Sequence, residues 1–236
     1  MSPEVLRLPP SLSFGKIAFA RVYPSMTIPT IKTGALFTIG HSNQEAGDFL
    51  SVLCDHAVQT VCDVRSRPGS FRFPQFNREP LEALLASVAL QYEFLGEALG
   101  GRPADPRAYH PDGRVDYAAR RKSPEFATGI DRLLELSRAT NIVLMCAEED
   151  PLQCHRFLMI CPALIERGAM PTHIRRGGIL ELQRDAEDRL LELHGRTAFA
   201  TGSLFVSERE SAVQEALQLQ ASEFAFRASP EAIEYF

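Results

Sequence analysis

The chain has 236 residues, 45% hydrophobic and 23% charged, with a formal net charge of −5, which excludes disorder throughout and suffices for a full core in one or two domains. No run approaches the ~18 uninterrupted apolar residues of a membrane span, and Pro9 and Pro10 break the basic-then-apolar order that a secretion signal requires. Mild acidity argues against nucleic-acid or anionic-membrane binding through the whole surface and leaves a local basic patch open.

Residues 1–33 carry Pro3, Pro9, Pro10, Pro24 and Pro29 without a sustained period, so an N-terminal arm is expected there. A core over 34–180 follows. Ala35 to Ile39 reads as a strand stopped by Gly40, and Gln44 to His56 places Phe49, Leu50 and Leu53 at helical spacing. Val58 to Val64 is a second strand. After a long loop, Asn77 is placed to cap a helix whose inner face holds Leu81, Leu84, Leu85 and Val88. Leu90 to Leu95 gives a third strand, and Ser123-Pro124-Glu125 opens a helix carrying Phe126, Ile130, Leu133 and Leu134. Asn141 to Cys146 is a fourth strand. Asp150-Pro151-Leu152-Gln153 then has the pattern of a helix start, with Pro162 expected to bend that helix. Met170 to Ile174 is the fifth strand. The expectation is an α/β fold, a mostly parallel five-stranded sheet with helices on both faces, plus a helical C-terminal extension over 181–236 packed on the core or on a partner subunit.

Five cysteines without paired spacing read as reduced thiols of an intracellular protein, so the cytoplasm is the expected location, with no membrane partner. In parallel sheets ligands bind beyond the carboxyl ends of the strands. Here those ends deliver Gly40-His41-Ser42-Asn43, Asp63-Val64-Arg65-Ser66-Arg67, Cys146-Ala147-Glu148 and His173, with Cys154-His155-Arg156 soon after the fourth. Arg65, Arg67 and Arg156 are forks suited to phosphate or carboxylate, although Arg65 could equally pair with Asp63 or Glu148. Cys146 or Cys154 is the candidate nucleophile, His41 or His155 the proton carrier, and Glu148 its orienter. Ser42, Asp63, Ser70, Tyr92 and His173 join the arginines as candidate substrate-binding residues. The acidic run Glu148-Glu149-Asp150 would repel an oxyanion, which weakens a phosphatase-like cradle. Zinc would have to draw on Cys146, Cys154, His155 and His41 without any CxxC spacing, so no metal ligand is assigned and the cofactor stays open. The loop Arg65 to Arg78 interleaves four arginines with three phenylalanines, a mixture that can hold phosphates and stack bases.

Thr38-Ile39-Gly40-His41-Ser42, Asp63-Val64-Arg65-Ser66-Arg67-Pro68 with Ser70, Tyr92 with Leu99-Gly100-Gly101, Tyr117 with Phe126, Met145-Cys146-Ala147-Glu148, Cys154-His155-Arg156 and His173-Ile174 together resemble the domain of unknown function 488 family. The resemblance spans roughly 36–180 and implies a compact α/β domain with its polar motifs near one end. It implies no activity. The residues themselves point to an enzyme, a hydrolase or transferase, acting on an anionic, phosphate-bearing substrate such as a nucleotide or nucleic-acid fragment. The alternative is a non-catalytic nucleotide or nucleic-acid binding module. A homodimer through the C-terminal helices is left open.

Overall fold

The computed structural model describes residues 34–200 and 206–229, and the arm expected over 1–33 lies outside them. Its elements in chain order begin with β1 (Leu36–Gly40), α1 (Ala46–Asp55), β2 (Thr60–Asp63), α2 (Arg78–Ala86) and β3 (Gln91–Phe94). The short helices α3 (Gly96–Leu99) and α4 (Tyr117–Arg120) precede α5 (Pro124–Ala139), β4 (Ile142–Cys146) and α6 (Cys161–Glu166). Then come β5 (Thr172–Ile174), β6 (Leu180–Leu182), α7 (Gln183–Leu193), α8 (Thr197–Ala200) and α9 (Val206–Phe224). The sheet order is β3-β2-β4-β1-β5-β6, parallel except that β6 runs antiparallel to β5. The α/β architecture is the expected one, with a sixth strand added. The leucines of Leu180–Leu182 continue the spacing of α7, at the start of the segment expected to be helical, but their backbone pairs with β5 first.

Every residue of β2 and β4 is buried, which is why β4 reads as a continuous apolar run with no alternation. One sheet face packs on Phe49 and Leu53 of α1 and Leu81 and Leu85 of α2. The opposite face packs on Phe126, Ile130 and Leu133 of α5, on Leu164 of α6, and on Leu190 of α7 and Ala216 of α9. Each fully buried Leu or Phe contributes about 1.5–3 kcal/mol. The connections leaving β1 and β2 therefore run to one face and those leaving β3 and β4 to the other. Where neighbouring connections part, a crevice opens above the strand ends. Register sharpens it: Gly40 lies opposite Cys146, and Asp63 opposite Met145. Three loops thus start level with one another.

Local departures have identifiable causes. Asn77 occupies the N-cap position of α2, yet its Oδ1 accepts from the Ser70 amide at 2.6 Å instead of from the helix. Asn77 serves the arginine loop. Neither Ser42 nor Asn43 caps α1; the Gln44 amide donates to the Gly40 and His41 carbonyls, and α1 starts after Glu45. The single helix expected from Pro151 is broken in three: a 3-10 turn Pro151–Gln153, extended backbone at Cys154, then a π-helical turn Arg156–Ile160 leading into α6. The Cys161 amide bonds the Arg156 carbonyl, five residues back. Pro162 has no amide to donate, and its ring would strike the carbonyl four residues before it in a regular helix. One extra residue in the turn relieves that clash.

Candidate functional site

Above the ends of β1, β2 and β4, two polar groupings form, and the sequence-predicted residues divide between them. The first is built on Asp63. Its carboxylate accepts from the Arg65 amide, from Arg65 Nε at 2.9 Å and Nη2 at 2.6 Å, and from the Tyr92 hydroxyl at 2.9 Å. Burial and the Asp63 charge push the Tyr92 phenol up. Arg65 also donates to the Phe76 carbonyl at 2.8 Å and meets His41 Nε2 at 3.2 Å. His41 Nδ1 lies 2.9 Å from the Ser42 carbonyl, which can only accept, so Nδ1 carries the proton and Nε2 takes its hydrogen bond from Arg65. Burial lowers the His41 pKa to about 4; the Ser42 bond opposes this and the Arg65 charge reinforces it. The ring stacks on Phe76 at 4.3 Å. Asp63, Arg65, Tyr92 and His41 therefore satisfy one another and pin the loop after β2 to β1. Ser42 holds a left-handed conformation, and Ser70 accepts from the Arg72 and Phe73 amides within its own loop.

The second grouping gathers around Glu148. The Cys146 and Cys154 sulfurs lie 2.9 and 3.1 Å from its Oε2, and His155 Nδ1 stands 3.7 and 3.8 Å from the two sulfurs. The two sulfurs and Nδ1 all lie within 4.8 Å of one another, each residue buried. These three could hold a metal ion, with Glu148 beside them. The Cys154 hydrogen bond and burial push the Cys146 thiol well up. At Cys154 burial acts the same way but is outweighed by the bond from Cys146 and the nearby Arg156 and His155 charges, which hold that thiol well below its usual range. Burial and the Cys154 charge raise Glu148. Two glycines make this convergence possible: a Cβ on Gly40 would sit 1.7 Å from the Glu148 carbonyl oxygen, and one on Gly101 2.9 Å from the His155 ring.

Arg156 is 1% exposed and donates to the Glu148 carbonyl at 2.7 Å and the Glu149 carbonyl at 2.8 Å, with Nε toward Thr38 Oγ1 at 3.4 Å. It holds the loop from beneath and offers no fork to a ligand. His173 is sealed in the core between Thr38 Oγ1 and Gln183, and burial, aided by Arg156, lowers its pKa to about 3. The acidic run is also defused. Arg175 binds Glu149 in two bonds at 3.0 Å, Arg189 binds Asp150 at 2.7 and 2.8 Å, and Glu148 turns inward to the thiols.

Of the three predicted anion-binding arginines, Arg67 is the exposed one. It lines a groove of about 380 Å³ together with Ser66, Arg102, Tyr109 and Phe226. The Arg102 amide donates to Ser66 Oγ at 2.8 Å, and its guanidinium lies 4.5 Å over the Phe226 ring. Among the described residues no carboxylate lies within ion-pair distance of Arg67 or Arg102. Sequence reading missed Arg102 and Phe226. The Gly100-Gly101 pair before Arg102 was the available signal, because two glycines mark a backbone passing close to something. Nothing local marks Phe226, which arrives from beyond α9. The wall between groove and thiol cluster is thin: Gly101 covers His155, whose Nε2 lies 3.0 Å from the Val64 carbonyl, two residues before Ser66.

No curated protein and no solved structure matches the chain. Residues 45–160 match the family model described as Domain of unknown function DUF488. That segment, which carries Asp63, Arg65, Tyr92 and the whole Cys146–Glu148–Cys154–His155 grouping, belongs to the DUF488 family.

Proposed function

We propose that the protein recognises an anionic, phosphate-bearing ligand of the nucleotide class in the groove between Arg67 and Arg102. The observation that carries this reading is a pair of arginines that have no acidic partner among the described residues, on one groove beside the Tyr109 and Phe226 rings. Guanidinium forks suit phosphate oxygens, and aromatic surface suits a base. A second groove, against α5 and α6, serves as the contrast: its Arg121 is paired with Glu166 and its Arg167 with Asp131. Calorimetric titration with nucleoside mono-, di- and triphosphates at two salt concentrations tests the proposal. Binding should weaken as salt rises and fall about tenfold or more in Arg67→Ala and in Arg102→Ala, each removing a charge-assisted bond of about 1.5–3 kcal/mol. Affinity unchanged in both variants would refute it.

The acidified Cys154 thiol, 3.8 Å from the His155 ring that Gly101 covers, favours a second reading, in which the bound anion is also a substrate and the protein an enzyme. Turnover of a phosphate-ester panel, lost in Cys154→Ala with binding intact, would support catalysis. Binding without turnover would leave recognition as the function.

A further inference from the structure

We infer that Cys146, Cys154 and His155 form a zinc site. The proposal goes beyond ligand recognition in the groove and does not depend on it. Zinc bonds of about 2.3 Å to sulfur and 2.0–2.1 Å to nitrogen or oxygen place tetrahedral donors roughly 3.5–3.8 Å apart. His155 Nδ1 stands 3.7 and 3.8 Å from the two sulfurs, and the three donor atoms all lie within 4.8 Å of one another, with Glu148 Oε2 beside the sulfurs at 2.9 and 3.1 Å.

The histidine is oriented for a metal. The Val64 carbonyl can only accept, so the bond at His155 Nε2 fixes the proton there and turns the Nδ1 lone pair toward the sulfurs. A ring nitrogen donating to a backbone carbonyl while the other faces a metal is the usual support for an imidazole ligand. Charge closes as well. Two thiolates and the neighbouring Glu148 carboxylate are balanced by the ion together with the buried Arg156 guanidinium, which among the described residues has no carboxylate in ion-pair contact. Two thiolates and an imidazole select zinc over the hard oxygen-seeking cations. The ion ties the end of β4 to Cys154 and His155. Through the Val64 carbonyl it steadies the backbone leading to Arg67.

The test uses the full chain purified without chelators. Elemental analysis should find one zinc per chain, and cobalt replacing it should give a thiolate-to-metal charge-transfer band with the intense visible absorption of tetrahedral cobalt. Zinc affinity should fall about tenfold or more in Cys154→Ser and in His155→Ala, while Cys54→Ser, at an exposed position, keeps full stoichiometry. Should the ligand variants fail to fold, the wild-type cobalt spectrum and its reversal by added zinc still decide. Protein without stoichiometric zinc that develops no tetrahedral cobalt spectrum overturns the assignment, as does ready oxidation of Cys146 and Cys154 to a disulfide in the presence of excess zinc. None of these readouts involves a nucleotide, so the groove and the metal site stand or fall separately. A zinc-bound Cys154 thiolate and a Cys154 nucleophile exclude each other.

Discussion

At the scale of the residue, the ionisable groups that look most available for chemistry are those the fold consumes. Arg156 spends two donors on the Glu148 and Glu149 carbonyls while fully buried, so Arg156→Ala strands two carbonyls and opens a cavity. A loss of about 3–5 kcal/mol in urea denaturation is expected, and a loss below 1 kcal/mol would contradict its structural role. His41 and His173 are both held neutral, with pKa values near 4 and 3. Because these values lie below the unfolded value of about 6.5, the unfolded chain binds more protons as pH falls from 6.5 toward 4, and stability drops with it. Between pH 6.5 and 5 the two should remove roughly 3 kcal/mol together. Denaturation midpoints that stay flat across pH 5–6.5 would show that His41 and His173 are not the neutral groups described.

At the scale of the element, short signals decide where helices begin and whether they continue. Ser123 caps α5 by accepting from the Phe126 amide and also receives Arg120 Nη1 at 2.9 Å. Ser123→Ala should therefore cost about 1–2 kcal/mol, measurable as a lowered denaturation midpoint, and a neutral result would mean the cap is dispensable. This cap was legible in Ser123-Pro124-Glu125, because capping is a contact between residues three apart. Asn77 shows the converse. It stands at a helix start with the right side chain, yet bonds the Ser70 amide, a partner seven residues upstream that local spacing does not reveal. Pro162 was legible as a defect, and its consequence, the π turn that sets Arg156 against Glu148 and Glu149, required the neighbouring loop.

At the scale of the whole molecule, the C-terminal helices belong to the machinery of the site. Gln220 on α9 donates to the buried Leu152 carbonyl at 3.0 Å, and Phe226 just past α9 lies against Arg102. A chain ending before Val206 should lose amide protection over 151–160 and bind the groove ligand more weakly, both readable by hydrogen exchange and titration; unchanged protection would show that α9 does not brace this loop. Among the described residues no helix is long and apolar enough to cross a membrane. The α/β class, the strand ends and most helices could be read from the sequence, because periodicity and capping are properties of consecutive residues. So could the gathering of His41, Asp63, Cys146 and Glu148 at one edge, because parallel strands share one polarity. Which of them stay accessible could not be read, since pairing across the sheet consumed Arg65 and Arg156, left Arg67 and Arg102 without carboxylate partners among the described residues, and brought Cys146, Cys154 and His155 together without paired spacing. Hydrogen-bond and charge satisfaction in a buried site depend on what lies nearby in space, and that only the tertiary structure decides.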